Sequence, residues 1–326
     1  MPADAARRIL VVKLGALGDV ALALGPFAAI RRHHAAARIT LLTTAPYAGF
    51  LAASGYFDEI WTDDRPPLWR ADRWLALRRR LRAARFDRVY DLQTSDRSGW
   101  YFRLMGPGGR PEWSGTARGC SHPHVNPARA SMHTVARQAD QLAVAGIADV
   151  PPADLSWVTA DIGRLGLSPR YALLVPGGAA HRPAKRWPAE RYGALARMLA
   201  ERGVQPAVIG AAAEAPLARA IAAACPETRD LTGRTSLADI AVLARGAAGA
   251  VGNDTGPMHM IAAAGCPSVV LFSKESDPAL TAPRGPEVAT LRRDDLTLLP
   301  VEDIATALWR CCRGVRWNIA PGRTPG

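Results

Sequence analysis

The sequence predicts an α/β protein of two similar-sized halves. A chain of 326 residues is long for one hydrophobic core, and two domains of about 150 residues each are expected. Short apolar strand signals alternate with longer helical signals along the whole chain, as βαβ units require. The second series of signals starts after Pro151 and Pro152, so the halves join near residues 150–166.

Each half contains four predicted strands. In the first half they fall at residues 9–13, 39–43, 59–62 and 88–92, with a helix from about residue 19 to residue 33. The second half has predicted strands at residues 171–175, 205–210, 249–252 and 268–272, and helices at 189–202, 215–224, 236–245 and 299–313. Residues 316–326 are rich in proline, glycine and arginine, which predicts a frayed tail.

The composition predicts a cytoplasmic protein with a basic surface. No apolar run reaches the roughly 18 residues of a membrane span, and Lys13 and Asp19 interrupt the first apolar segment, which argues against a signal peptide. The five cysteines include no Cys-x-x-Cys pair, so their spacing favours neither a zinc site nor a disulfide framework. The net charge of +12 favours acidic partners such as anionic lipid or a phosphorylated glycan.

Residues 249–264, GAVGNDTGPMHMIAAA, form the most informative segment. A short apolar strand ends in Gly-Asn-Asp, a Thr-Gly-Pro turn follows, and Pro257 suits the first turn of a helix. The first N–H groups of a helix have no intrahelical partner, and the helix dipole adds positive potential there. Open α/β sheets bind ligands at the carboxyl ends of their strands. This segment therefore predicts a cradle for a nucleotide diphosphate.

A glycine-rich loop, Lys13-Leu-Gly-Ala-Leu-Gly-Asp19, follows the first predicted strand. Its glycine spacing fits neither the dinucleotide fingerprint nor a P-loop. One interpretation is a loop that presents a carboxylate into a cleft, and the other is that Asp19 only caps the first turn of a helix.

The loop at residues 175–188 lies between a strand and a helix of the second half. Gly177 and Gly178 let the backbone turn at the end of the strand. Lys185 and Arg186 then bring positive charge to a place where phosphate could bind, although an exposed basic loop is the alternative. Lys185 is also one of only three lysines in a chain whose other strongly basic residues are all arginine.

Residues 68–88 form an arginine-rich segment that predicts a helix. Trp74, Leu77, Leu81 and Ala84 have helical spacing and are expected to pack inward, with the arginines outward. The outer face is either a docking surface for an anionic lipid or phosphorylated acceptor, or a solvated face.

A second candidate for acceptor contact follows that segment. It combines Arg97 and Arg103 with the aromatic run at residues 100–102. Burial in the core is the competing interpretation for these aromatic side chains.

Three segments together resemble glycosyltransferase family 9, the lipopolysaccharide heptosyltransferases. They are ILVVKLGALGDVALALGPFAAIR at the start, LLVPGGAAHRPAKRWPAERYGALA in the middle and DLTGRTSLADIAVLARGAAGAVGNDTGPMHMIAAAGCPSVVLF near the end. They occur in the order and spacing of that family and span nearly the whole chain. The Lys-x-Trp-Pro and Asn-Asp-Thr-Gly-Pro-x-His elements are the most specific.

The resemblance implies a GT-B fold, with two Rossmann-like domains facing across a cleft and a C-terminal helix returning to the first domain. It assigns residues 1–160 to acceptor binding, 161–300 to nucleotide-sugar binding and 301–326 to the C-terminal helix and tail. It implies inverting, metal-independent transfer of heptose from an ADP-activated sugar to Kdo-lipid A or heptosylated core, on the inner face of the inner membrane. No cofactor is implied, and the chain contains no Asp-x-Asp.

The family's functional residues can be assigned to matching positions of this chain. Asp19 corresponds to the catalytic base. Donor binding is assigned to Lys185, Gly177, Gly178, Glu214, Asp254, Thr255, Gly256 and His259, and acceptor binding is assigned to Gly15, Gly18 and Arg97. The chain departs from some members by having Ala180 and His181 where they have hydroxyl residues.

Three other functions remain compatible with parts of the sequence. One is another nucleotide-sugar enzyme of the same fold, such as an epimerase or a transferase of a different sugar. Another is a non-catalytic carbohydrate-binding relative. The third is a nucleic-acid binder, which only the charge suggests and which is not expected, because no nucleic-acid-binding motif is present.

Overall fold

In the computed structural model, the described residues are 6–67, 69–106, 110–179 and 181–312. The chain divides into two compact units, Met1–Ala153 and Asp154–Gly326. Both units are α/β, as the alternating strand and helix signals predict.

The first unit is built on a six-stranded parallel sheet of order β3-β2-β1-β4-β5-β6. Its strands are β1 Arg8–Val12, β2 Arg38–Thr43, β3 Glu59–Thr62, β4 Arg88–Asp91, β5 Glu112–Gly115 and β6 His122–Pro123. Its helices are α1 Leu17–Ala21, α2 Leu24–His33, α3 Ala45–Ala52, α4 Ala71–Ala83, α5 Asp96–Met105 and α6 Thr134–Val144. The strand order reverses between β1 and β4, which makes their carboxyl ends the expected ligand crevice.

The second unit repeats this arrangement with the order β12-β11-β10-β7-β8-β9. Its strands are β7 Tyr171–Val175, β8 Gln205–Val208, β9 Arg229–Asp230, β10 Ala250–Asn253, β11 Ser268–Phe272 and β12 Val288–Arg292. Its helices are α7 Ala189–Ala200, α8 Ala215–Ala224, α9 Leu237–Gly246, α10 Gly256–Ala263, α11 Pro278–Thr281 and α12 Val301–Cys311. Here the order reverses between β7 and β10.

The helix predicted at residues 19–33 is divided into α1 and α2. Pro26 has no N–H to donate to the carbonyl of Leu22, and its ring would clash with that carbonyl in a continuous helix. The chain therefore ends one helix near Leu22 and starts the next at Leu24. The prediction of a single helix was wrong for this reason.

The arginine-rich segment forms α4 with the predicted inner face. Leu81 is buried, and Trp74, Leu77 and Ala84 are partly buried. They pack on a core cluster that includes Trp61 and Trp113 of the sheet. The arginines of the opposite face are exposed, so the predicted orientation is confirmed.

Helix α12 packs within the second unit. Ile304 and Leu308 belong to the same core cluster as Trp187, and the Trp187 Nε1 donates to the Leu299 carbonyl at 3.0 Å. The predicted tail at residues 316–326 lies outside the described residues. The predicted return of the C-terminal helix to the first domain stays a prediction.

Candidate functional site

Three loops of the second unit surround one cavity of about 540 Å³. They follow β7, β8 and β10, so the cavity opens at the carboxyl ends of strands on both sides of the point where the strand order reverses. All the residues assigned to the donor except His259 line it. The lining residues are Val175, Gly177, Gly178, Ala179, His181, Arg182, Lys185, Ala211, Glu214, Asp254, Thr255, Gly256 and Pro257.

Lys185 and Asp254 form an ion pair in the wall of this cavity. The Lys185 Nζ lies 2.8 Å from Asp254 Oδ2, and the two side chains are 13% and 10% exposed. The His259 Nε2 lies 3.9 Å from the other carboxylate oxygen, which is too long for a hydrogen bond. Burial on its own would raise the pKa of Asp254, but His259, Lys185 and Ser276 beside it hold that pKa at about 2. Asp254 is therefore an anion at neutral pH.

The helix that begins at this cavity is α10. Its N-cap, Thr255, has an extended backbone, and its side chain makes no capping hydrogen bond. The Thr255 hydroxyl is buried and has no hydrogen-bond partner among the described residues. Pro257 occupies the first turn, as the sequence predicts. The helix therefore presents backbone N–H groups at the cavity, which is the arrangement that binds phosphate oxygens.

Glu214 connects the loop after β7 to the loop after β8. Its Oε1 accepts the Gly178 N–H at 3.0 Å, and its Oε2 accepts the Ala211 N–H at 2.8 Å. A Cβ atom at Gly177 would lie 1.9 Å from Glu214 Oε1. Glycine at position 177 is therefore required for the close approach of this carboxylate, which holds the shape of the cavity.

Asn253 organises the loop after β7, a role that sequence reasoning missed. It is fully buried, and its Nδ2 donates to the carbonyls of Pro176 and Gly177 at 2.9 and 3.0 Å. Its Oδ1 accepts from the Trp187 N–H and the Tyr192 hydroxyl at 3.0 and 3.2 Å. Its place directly before Asp254 was the available signal. One amide therefore fixes both ends of the loop that carries Lys185.

Asp19 lies in the first turn of α1, at the carboxyl end of β1. Its Oδ2 accepts the Ala16 N–H at 3.1 Å, so the predicted capping contact is present. The side chain is nevertheless partly exposed. Gly15 has a φ of +110°, and a Cβ there would lie 2.5 Å from the Tyr47 ring. Gly18 lies in the first turn of α1, beside Asp19.

Two hydrogen bonds connect the Asp19 loop to the loop after β4. The buried Lys13 Nζ donates to the Leu92 carbonyl at 3.1 Å, and the Leu14 N–H donates to Gln93 Oε1 at 2.8 Å. Burial lowers the pKa of Lys13, against the opposing effect of the Asp19 and Asp91 carboxylates. Burial also raises the pKa of Asp91 to about 6. Asp91, which lies inside the strand predicted at residues 88–92, was not among the predicted site residues.

Arg97 is held by partners within the first unit. Its guanidinium donates to both carboxylate oxygens of Asp63, at 2.9 and 3.1 Å, and to the Pro66 carbonyl at 3.2 Å. It also lies 4.8 Å from the centre of the Trp74 ring, so it connects α5 to α4. An acceptor role for Arg97 stays a prediction, and acceptor contact would have to compete with these bonds.

The comparison with protein families decides the classification. The sequence profile of glycosyltransferase family 9 (heptosyltransferase) matches residues 74–300, which is more than half of the chain. The chain belongs to glycosyltransferase family 9. The matched region contains every donor-assigned residue of the second unit and excludes Asp19.

Curated relatives of this family 9 chain match over part of their length. It is 34% identical over 129 residues to lipooligosaccharide heptosyltransferase 2 of Haemophilus influenzae. The aligned stretch covers 38% of this chain and 37% of that protein. It is also 34% identical over 120 residues to lipopolysaccharide heptosyltransferase 2 of Escherichia coli, and this stretch covers 35% of this chain and 34% of that protein. The chain thus matches about one third of the length of these relatives.

Solved structures establish the fold over nearly the whole chain. The ADP-heptose lipopolysaccharide heptosyltransferase II of E. coli aligns with a TM-score of 0.77 at 23% identity, covering 94% of this chain and 99% of that one. A family 9 glycosyltransferase of Veillonella parvula aligns with a TM-score of 0.81 at 18% identity, covering 96% and 99%. An E. coli heptosyltransferase solved with ADP aligns with a TM-score of 0.75 at 20% identity, covering 93% and 99%. The predicted fold class is confirmed.

Two features are absent from the described residues. No group of three or more His, Cys, Asp or Glu side chains is placed to hold a metal ion there. No helix in the described part of the chain combines the length and apolarity needed to cross a bilayer.

Proposed function

We propose that this protein transfers heptose from ADP-heptose to the lipopolysaccharide inner core, either Kdo-lipid A or an already heptosylated core. The supporting observation is the cavity of about 540 Å³ in which Lys185 and the first turn of α10 come together. A pocket lined by Lys185, Arg182 and a helix N-terminus suits a diphosphate. Membership of a heptosyltransferase family, and the relative solved with ADP, favour ADP-heptose as the donor.

The departing ADP gains negative charge in the transition state. Lys185 and the N–H groups at the start of α10 stabilise that charge, so the proposed reaction needs no metal ion. Asp254 keeps the ammonium of Lys185 directed at the diphosphate. The carboxylate cannot itself bind phosphate, but its second oxygen can accept a hydrogen bond from a sugar hydroxyl.

Asp19 acts as the general base in this proposal. It removes the proton of the acceptor hydroxyl while the oxygen attacks the anomeric carbon from the side opposite the diphosphate. The new glycosidic bond forms as the bond to ADP breaks, so the anomeric configuration inverts. A positioned base of this kind contributes about 10² to 10⁴ in rate. The proposal requires that Asp19 and Lys185 reach opposite sides of one bound donor.

The protein is proposed to act in the cytoplasm, as a peripheral protein on the anionic inner face of the membrane. The supporting surface is the outer face of α4. Arg78, Arg79 and Arg82 are exposed there and form no ion pair among the described residues, and Trp69 is 82% exposed just before the helix. Arginines beside an exposed tryptophan suit the headgroup region of an anionic bilayer.

Vesicle co-sedimentation tests this surface. Replacing Arg78, Arg79 and Arg82 together by glutamine should weaken binding to phosphatidylglycerol vesicles by about 100-fold, at about 1 kcal/mol for each charge. Vesicles of phosphatidylcholine alone serve as the control and should bind neither protein. Equal binding of the variant and the wild type to anionic vesicles would exclude α4 as the docking surface.

A thermal-shift panel tests the choice of donor. ADP, UDP, GDP and their sugar conjugates are compared, because a ligand at 100 times its dissociation constant stabilises the protein by about 2.7 kcal/mol. ADP and ADP-heptose should raise the melting temperature most. A larger shift with a uridine or guanosine sugar would contradict the proposed donor and favour another nucleotide-sugar enzyme.

A further inference from the structure

A second cavity lies in the first unit, at the amino edge of its sheet. Its volume is about 300 Å³. Arg8, Arg38 and Glu59, which are the first residues of β1, β2 and β3, line it together with the end of α4. Asp19 follows the opposite, carboxyl end of β1, so none of the roles assigned above uses this cavity.

The strand register places two arginines of this cavity side by side. Arg8 and Arg38 are paired positions of the parallel strands β1 and β2, so their side chains leave the same face of the sheet. The two strands are about 4.8 Å apart, and like charges at that separation repel each other. The Arg38 Nη2 lies 3.2 Å from Glu59 Oε2, whereas Arg8 takes part in no ion pair among the described residues. Glu59 therefore offsets only one of the two charges.

A third guanidinium group borders the cavity from the side of α4. The Arg80 guanidinium lies 3.9 Å from the centre of the Trp61 ring, and it forms no salt bridge in the described part of the chain. Trp61 is 6% exposed, and its Nε1 donates to Glu59 Oε1 at 2.6 Å, so the ring is held in place. Arg80 thus lies over a fixed aromatic face, and its N–H groups stay available to a ligand.

The cavity has room for a ligand because small side chains form its helical wall. Ala83 and Ala84, at the end of α4, contribute only methyl groups. Thr40 adds a hydroxyl group to the lining; it is 3% exposed and lies two residues after Arg38, on the same face of β2. The cavity therefore combines free space with hydrogen-bond donors.

The charges of the lining favour a dianion. Three arginines against one glutamate give a net charge of +2. The C-terminus of α4 offsets this only in part, because a helix end carries about half a unit of negative charge. A phosphate monoester carries about 1.5 to 2 negative charges at neutral pH, and guanidinium groups bind phosphate oxygens through paired hydrogen bonds. A phosphate between Arg8 and Arg80 would also reduce the repulsion between Arg8 and Arg38.

We propose that this cavity binds a phosphate monoester, carried either by a small soluble molecule or by a lipid headgroup. Arg8 and Arg80 bind the phosphate oxygens, and Arg38, whose charge Glu59 already offsets, contributes less. The site shares no residue with the donor cavity of the second unit. The inference therefore goes beyond the proposed reaction and does not depend on it.

An NMR titration that follows the tryptophan indole N–H signals tests the proposal. The chain has nine tryptophans, and the signal of Trp61 is the one that disappears in Trp61→Phe. Because the Trp61 Nε1 donates to Glu59 in the cavity wall, its signal reports on this cavity and not on the donor cavity. Glucose 6-phosphate and dihexanoyl phosphatidic acid, the latter below its micelle concentration, are added in separate titrations at constant ionic strength. At least one of them should shift the Trp61 signal saturably, and glucose should not.

Two arginine variants and a matched control locate the binding. Arg8→Gln combined with Arg80→Gln should raise the dissociation constant by about tenfold or more, because two charge-assisted contacts are lost. Arg8→Gln alone keeps the contact of Arg80 with Trp61 and should still raise it by about threefold or more. The control is Arg7→Gln combined with Arg73→Gln, which removes two exposed arginines of the same unit that do not line the cavity. The control should bind within about twofold of the wild type.

The wild type alone can overturn the proposal. A Trp61 signal that shifts with neither phosphate compound shows that the cavity binds no phosphate monoester. Equal affinities of the Arg8 and Arg80 double variant and the control would place the binding elsewhere and also overturn it. If the proposal holds, the compound that binds the wild type more tightly identifies the source of the phosphate, soluble or lipid.

Discussion

Replacing Lys185 by alanine should weaken ADP binding by about 10- to 100-fold. The Lys185 side chain is 13% exposed and its Nζ lies 2.8 Å from Asp254 Oδ2, so the ammonium is held in the cavity wall. Its loss removes a charge-assisted hydrogen bond to the diphosphate, which is worth about 1.5 to 3 kcal/mol. It also leaves Asp254, whose pKa is about 2, as an unpaired anion in the same wall.

The Asp254 carboxylate repels the diphosphate in the wild type as well, where Lys185 offsets the repulsion. A unit charge about 5 Å from a phosphate oxygen, at an effective dielectric constant of about 20, gives a repulsion of about 3 kcal/mol. Each 1.4 kcal/mol corresponds to about tenfold in the dissociation constant, so the loss of the lysine interaction, about 1.5 to 3 kcal/mol, weakens binding by about 10- to 100-fold. Asp254→Asn should remove the repulsion, so the double variant is expected to bind ADP about 100-fold more tightly than Lys185→Ala alone.

Isothermal titration of ADP into the wild type, both single variants and the double variant measures this cycle. Lys274→Ala is the control, because Lys274 is an exposed lysine of the same unit that does not line the cavity. If Lys185→Ala binds ADP within about threefold of the wild type, Lys185 is not a phosphate ligand. If the double variant binds no better than Lys185→Ala, Asp254 is not the counter-ion that the structure indicates.

Three further predictions concern other parts of the molecule. Asp19→Asn should lower turnover by about 10² to 10⁴ while calorimetry shows unchanged ADP binding, and near-normal turnover would refute its role as the base. Gly177→Ala should lower the melting temperature, because the new Cβ would lie 1.9 Å from Glu214 Oε1. Gly178→Ala is the control and should leave the melting temperature unchanged, because its Cβ would have its nearest contact at 3.4 Å. Equal melting temperatures of the two variants would contradict this packing. The native pKa of Asp91, about 6, lies above the ordinary value of 3.8, so its stabilising contribution is complete below about pH 4 and is lost as the pH rises through 6. In urea unfolding, the free energy of unfolding of Asp91→Asn should therefore rise by about 1 kcal/mol relative to that of the wild type from pH 5 to pH 8. A difference that does not change with pH would refute the raised pKa of Asp91.

The interior strands were predictable because their signals are local. β1, β2, β7, β10 and β11 are continuously apolar runs buried on both faces of parallel sheets. β5, β6, β9 and β12 were missed, since two of them have only two residues and β12 is an only partly buried edge strand. Such strands form because they pair with a neighbouring strand, and the local sequence pattern does not indicate that pairing.

The contacts of the candidate site were only partly predictable. The sequence singled out Lys185 and Asp254 as separate motifs, but their ion pair joins residues 69 positions apart in the chain. The role of Asn253 in fixing the loop that carries Lys185 depends on the same long-range folding. The break before Pro26, in contrast, follows from local backbone chemistry and was available in the sequence.

The most direct test of the proposed function is mass spectrometry of heptose-free lipopolysaccharide after incubation with the protein and ADP-heptose. The account predicts that the glycan gains one heptosyl residue, that ADP is released in equal amount, and that Asp19→Asn gives neither product at the wild-type rate. An unchanged glycan, or a gain only with a different nucleotide sugar, would contradict it.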